Sequence, residues 1–162
     1  MAKLLVLFSS LLISFGVAAK SLPAIDDMKN GLDKVGLVKK STWEDEKKDG
    51  VFLKSMSAVP GVVAILNEDQ MAIFMKIPAY DDKEKRVKSI NQLFERCRKM
   101  ADVVMKGVSD NHIELIDGII SSSAKVPGFT VSNLVKGFEF NSMINMLGDG
   151  VVVQCGVRNT KI

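Results

Sequence analysis

One histidine, two cysteines, one tryptophan and one tyrosine occur in 162 residues, and each scarcity narrows what the chain can do. With His112 as the lone imidazole, no zinc site of Cys/His spacing can be assembled, and nucleophilic catalysis would have to draw its base from a single position. The two cysteines do not form a C-x-x-C pair, which removes the usual redox-active dithiol. The chain has no Gly-x-Ser-x-Gly elbow, no EF-hand loop and no glycine-rich phosphate loop; its glycines are scattered turn residues. It has no Asn-x-Ser/Thr acceptor either, in keeping with a bacterial periplasm rather than a eukaryotic secretory route. Net charge is small: 22 Lys+Arg against 19 Asp+Glu leave +3, too near neutral to point to nucleic acid.

What is present begins with a leader. Lys3 supplies a positive start, Leu4 to Val17 is apolar with Ser and Gly interruptions, and Val17-Ala18-Ala19 is a small-residue cleavage site. This predicts a cleavable signal peptide over 1–19, with Lys20 as the first mature residue. The alternative, an uncleaved anchor, asks for an apolar run of about 20 residues, longer than the one here. No cysteine follows the site to carry lipid. The expected location is therefore periplasmic or secreted, with no transmembrane anchor after cleavage. Removing Lys3 takes the net charge from +3 to +2. Residues 20–162 suffice for a single domain with a real core.

An even cysteine count in an exported chain predicts one disulfide, Cys97–Cys155, with two separate buried thiols as the alternative. The bond would close a loop of about 59 residues, worth roughly 4 kcal/mol if its effect is on the entropy of the unfolded chain.

The chain is organised around a long amphipathic helix over 82–106. Val87, Ile90, Phe94, Cys97, Ala101, Val104 and Val108 recur at spacings of three and four, the period of one helix face, and Leu93 and Met100 broaden that face. Asp81 with Glu84 resembles a capping box, and Gly107 is a natural stop. At ~1.5 Å per residue the helix would run roughly 37 Å, the width of a domain this size.

The other elements follow in order. Ser21-Leu22-Pro23 reads as a helix start, with a stripe through Leu22, Ile25, Met28, Leu32 and Val35 ended by Gly36; Gly31 costs that helix ~1 kcal/mol relative to Ala. Leu37 to Trp43 reads as a strand, and Asp49-Gly50 as a turn. Lone Trp43 reads as a core anchor, since large aromatics are buried on average. Val51 to Val59 is a strand broken by Pro60-Gly61, and Val62–Leu66 with Met71–Ile77 forms a hairpin around residues 67–70. The apolar arms of that hairpin suggest central strands covered on both faces or at least well buried.

Asp110 to Ser123 supports two readings. Ile113, Ile116 and Ile120 fit a helix capped by Asp110; the β-branched content favours two strands, His112–Ile116 and Ile119–Ser123, around Asp117-Gly118. Thr130 to Lys136 reads as a short helix ended by Gly137. In the tail, Phe138, Phe140, Ser142, Ile144 and Met146 alternate, a turn occupies 147–150, and Val151, Val153, Cys155 and Val157 share a face. Each cysteine thus points at the core from its own element, which predicts the long helix pinned across the sheet. The fold class is a single α+β domain: a mostly antiparallel sheet, the long helix packed across it and a second, N-terminal helix.

Candidate sites are few. Asp110, His112 and Glu114 would share a face on a strand and could form an acid–histidine cluster of hydrolase type; a solvated histidine in a turn is the plainer reading. Ser121-Ser122-Ser123 reads as an edge or loop. The methionines Met28, Met56, Met71, Met75, Met100, Met105, Met143 and Met146 could suit Cu(I), but each sits in an apolar run where methionine fills gaps, and Met143 and Met146 would face opposite ways on a strand. Arg96, Arg98, Lys99 and Lys106 make a basic helix face best read as solvated. No catalytic residue, cofactor ligand or metal ligand is assigned. The expected function is non-enzymatic binding, with another envelope or extracellular protein as partner. The alternatives are a carrier holding an apolar small molecule between helix and sheet, and a small enzyme using Asp110, His112 and Glu114.

Overall fold

The computed structural model describes residues 20–44, 52–55, 61–148 and 150–160. The leader over 1–19, the turn at Asp49-Gly50, the second half of the strand expected over 51–59 and the Pro60 break lie outside the described residues.

Three α-helices, α1 (Ile25–Lys34), α2 (Lys83–Met105) and α3 (Asp110–Ser123), accompany strands β1 (Phe52–Ser55), β2 (Val62–Leu66), β3 (Gln70–Pro78), β4 (Thr130–Val135), β5 (Phe138–Leu147) and β6 (Gly150–Arg158). The strands form one sheet in the order β1-β2-β3-β6-β5-β4, antiparallel throughout. The chain lays down one hairpin half, crosses over through α2 and α3, and adds the second half with its last strand against β3. This is the expected α+β class, with the long helix lying against β3 and β6 and α1 against α2.

The register settles the inner face of the sheet. Met71, Ile73, Met75 and Ile77 pair with Val157, Cys155, Val153 and Val151, and these with Phe140, Ser142, Ile144 and Met146. Paired residues point to the same side of a sheet, so the alternation in β5 and β6 converges on one apolar layer under the helices. The opposite face is more open at β2, where Val63 is exposed and burial alternates, while Ala72 and Asn141 on the same face are buried. Of the two expectations for the hairpin arms, coverage on both faces and good burial, the second describes β3, where Met71, Ala72, Ile73 and Met75 are all buried. The apolar runs of β2 and β3 look two-sided only because the outer face also carries Val63, Ile65 and Phe74.

Helix α2 sits within a residue of its expected ends. Its cap is Asp82, not Asp81: the Asp82 carboxylate accepts from the backbone N–H of Glu84 at 2.8 Å and of Lys85 at 3.2 Å. At the other end Lys106 and Gly107 both take positive φ, and Gly107 N–H closes on the Asp102 carbonyl at 2.9 Å, a left-handed stop. α1 starts later than Ser21 predicts, with Ala24 as its uncapped first boundary. Gly31 has a structural reason: a Cβ there would lie 2.5 Å from Val103 Cγ1, so the glycine lets α1 approach α2.

Three further expectations are corrected. Residues 40–42 form a short 3-10 turn rather than a strand, and Trp43, partly buried against the core, lies with Lys29 Nζ 5.8 Å from its ring centre. Residues 110–123 form one helix, not two strands. Ile116, Ile119, Ile120 and Ser123 are its buried positions, and packing against β4 and β5 outweighs the β-preference of isoleucine. Residues 130–135 form a strand, not a helix. Gly137 belongs to the two-residue turn Lys136-Gly137, both at positive φ, between the paired Val135 and Phe138. That geometry is the hairpin turn whose twist matches the strands. Lys136 Nζ then reaches the end of α2 and donates to the carbonyls of Met105 at 2.9 Å, Lys106 at 2.9 Å and Gly107 at 2.6 Å, where the helix dipole favours a cation.

Candidate apolar groove

The apolar stripe of α2 outruns the core. Leu93, Cys97, Met100, Ala101, Val104 and Met105 are buried and Phe94 and Val103 partly so, whereas Ile90 is 41% and Val87 48% exposed. Ile90, Leu93 and Phe94 form one wall of a groove of about 660 Å³. The opposite wall is the end of α3, with Ile120, Ser121 and Ala124, continued by Pro127. The floor is the inner face of the sheet at Ile77, Ile144, Val151 and Val153. Tyr80, Arg86 and Met146 also line it, and Met146 is 69% exposed. Beside the rim, Phe129 is 71% exposed; its neighbour Gly128 is held by a 2.8 Å bond from its N–H to the Ile144 carbonyl.

Exposure falls from the rim inward, to 4% at Leu93 and 1% at Ile120 on the walls and 3% at Val153 on the floor. Arg86 is the single charged residue of the lining among the described residues. Its Nη2 donates to the Tyr80 carbonyl at 2.8 Å, which fixes the guanidinium at the mouth. The volume lies in the range of small-molecule sites, and so does the pattern of apolar walls with a few polar groups.

The disulfide joins two parts of this wall system. Cys97 and Cys155 are bonded, with Cα atoms 5.8 Å apart, and both are fully buried. Cys97 lies one turn beyond Phe94 and Leu93 on α2; Cys155 lies two residues beyond Val153 on β6, on the same face. Between α2 and α3, Arg98 donates from Nε to Asp117 Oδ1 at 2.8 Å and from Nη2 to Asp117 Oδ2. This bond raises the Arg98 guanidinium above its ordinary value, against the opposing effect of burial. The same guanidinium sits 5.9 Å from the centre of the Phe94 ring. On the solvent side of α2, the hydrogen bond from Lys99 holds Glu95 below the usual carboxylate range.

A glycine lets two strands meet closely beside the floor. At Gly150 an added Cβ would fall 2.4 Å from the Ile77 carbonyl oxygen, so side-chain absence lets β6 start tight against β3. The sequence marks Gly150 only as part of a turn; its alternative role has no local signature.

The other candidates do not meet here. Asp110, His112 and Glu114 lie on a helix, where residues two apart point about 200° apart. His112 Nδ1 accepts the Ser109 N–H at 3.2 Å and lies 2.9 Å from Ser109 Oγ, a capping box at the start of α3. Ser109, rather than Asp110, is thus the cap, and His112 closes a helix end. Ser123 is buried and bonded to the Ile120 carbonyl and to Ser142 Oγ, while Ser121 lines the groove. Met71, Met75, Met28, Met100 and Met105 are buried in the core. Met143 pairs with Gln154 on the outer face and Met146 with Val151 on the inner one, so the two diverge as their spacing predicts. Among the described residues no cluster of three or more His, Cys, Asp or Glu could hold a metal, and no helix is long and apolar enough to cross a membrane.

No family model matches the chain, and no curated protein or solved structure is similar to it.

Proposed function

We propose that the protein is an exported, non-enzymatic binding protein whose groove between α2, α3 and the sheet holds an apolar or amphiphilic small molecule. The observation that carries this reading is the continuation of the α2 stripe through Ile90 and Val87 past the end of the core, over an uncovered part of the inner sheet face. Apolar surface left open in a concave site is where a ligand gains most from leaving water. Export rests on the leader over 1–19, cleaved after Ala19, and is supported by the Cys97–Cys155 bond, which persists in oxidising compartments. The destination is the periplasm or the medium. A hydrophobic probe such as N-phenyl-1-naphthylamine should bind the oxidised 20–162 protein saturably, at one site. Ile90→Glu places a charge on the exposed part of the wall, leaves folding intact, and should weaken the probe at least tenfold. Absent or non-saturable binding, or an affinity indifferent to Ile90→Glu, would overturn the reading.

A protein partner from the envelope or the surroundings is the second reading. It rests on Phe129 and on Leu134, 55% exposed, next to and on β4, an edge strand of the sheet. Exposed apolar side chains at a free edge are a common docking surface. Phe129→Ser with Leu134→Ser should abolish capture of that partner and leave probe binding unchanged; capture unaffected by the pair would remove this reading.

A further inference from the structure

Resting on the groove as a small-molecule site, we infer that its ligand is a single-chain fatty carboxylate, with the head at Arg86 and the tail directed inward over Ile144 and Val153. Three features of the site converge on this chemistry.

The first is charge. Among the described residues the lining contains one cation and no carboxylate, so the charge these residues place at the mouth favours an anion. Arg86 also differs from Arg98 in how its donors are used. Arg98 gives two of them to Asp117, whereas Arg86 bonds a neutral carbonyl and has no carboxylate partner among the described residues. Asp82, one turn earlier on α2, uses its Oδ1 to cap the helix. Arg86 therefore keeps a positive charge and free N–H donors, in a fork whose geometry matches a carboxylate.

The second is polarity along the groove. Exposed Arg86 stands at the rim, whereas Val153 on the floor and Leu93 and Ile120 on the walls are at most 4% exposed. A molecule with one charged end and one apolar end has a single favourable orientation in such a site. The third is size. A groove of about 660 Å³ suits one drug-sized molecule, hence one chain rather than two.

The test compares three twelve-carbon ligands, dodecanoate, dodecanol and dodecylammonium, each displacing the naphthylamine probe below its aggregation limit at pH 8. Dodecanoate should bind at least fivefold more tightly than dodecanol, and dodecylammonium the most weakly. Arg86→Gln, at an exposed position, should remove the preference for the carboxylate while leaving dodecanol within twofold. Each two-carbon extension of the acid should tighten binding about tenfold until the groove is full, the gain expected from burying methylenes. Equal affinity for the three heads, or an Arg86→Gln loss as large for the alcohol as for the acid, overturns the carboxylate assignment and leaves the apolar site standing. Failure of all three ligands and of the probe overturns both.

Discussion

Arg98 and Asp117 hold α2 to α3 through two parallel hydrogen bonds, one from Nε and one from Nη2. The pair sits one turn short of the place where the helices become the two walls of the groove, and the Arg98 guanidinium faces the Phe94 ring that lines it. The bridge is part-exposed, with side-chain exposures of 39% and 28%, so solvent screening keeps its stabilising effect small. Asp117→Asn should cost about 1 kcal/mol or less in urea unfolding. It should weaken probe binding by a larger factor than that loss implies, because the wall position changes. A binding constant unchanged by Asp117→Asn would show that the bridge plays no part in setting the groove.

Replacing both cysteines, Cys97→Ala with Cys155→Ala, should lower the unfolding free energy by about 3 to 4 kcal/mol. Reductant should lower that of the parent protein by a similar amount and leave the variant unaffected. A variant within about 1 kcal/mol of the parent would contradict a mainly structural role for the bond.

Gly31→Ala has opposing contributions whose sum decides its sign. Helix propensity favours alanine by about 1 kcal/mol. The new methyl meets Val103 Cγ1 at 2.5 Å, and overpacking of this kind costs about 1–3 kcal/mol. The expected net effect is destabilisation, relieved when Val103→Ala is added. Stabilisation by Gly31→Ala alone would mean that the α1–α2 contact yields readily.

Lys136→Asn keeps a residue suited to positive φ but removes the ammonium that three carbonyls at the end of α2 share. The expected loss is about 1–2 kcal/mol in thermal or urea unfolding. Hydrogen exchange should quicken first in the last turn of α2, and protection unchanged there would show that water replaces the lysine without penalty.

The helix α2 and the hairpin of β5 and β6 were legible in the sequence because their periodicities, 3.6 and 2, run uninterrupted and agree with their caps and turns. The disulfide was legible for the same reason, each cysteine lying on an apolar face of a clearly readable element. Residues 110–123 and 130–135 were not. Asp117-Gly118 inside a helix and Gly137 inside a hairpin turn carry the same local signals as a turn and a helix stop, and only contacts with β4, β5 and α2 separate the alternatives. The groove was hidden by the continuity of the α2 stripe. Val87 and Ile90 have the spacing of core residues, and nothing local records that the neighbours end at Leu93. Arg86 has no feature in the sequence to set it apart from Lys83, Lys85 and Lys88.

The placement of the Cys97–Cys155 bond has a consequence for how the molecule can vary. It fastens α2 to β6 beside Leu93 and Val153, so the spacing of those two surfaces is held by a covalent link as well as by packing. Substitutions in β1, in the 3-10 turn or on the outer sheet face can accumulate without resizing the opening. The binding surface is in this sense insulated from drift in the scaffold, and its selectivity can change through a few positions at the rim.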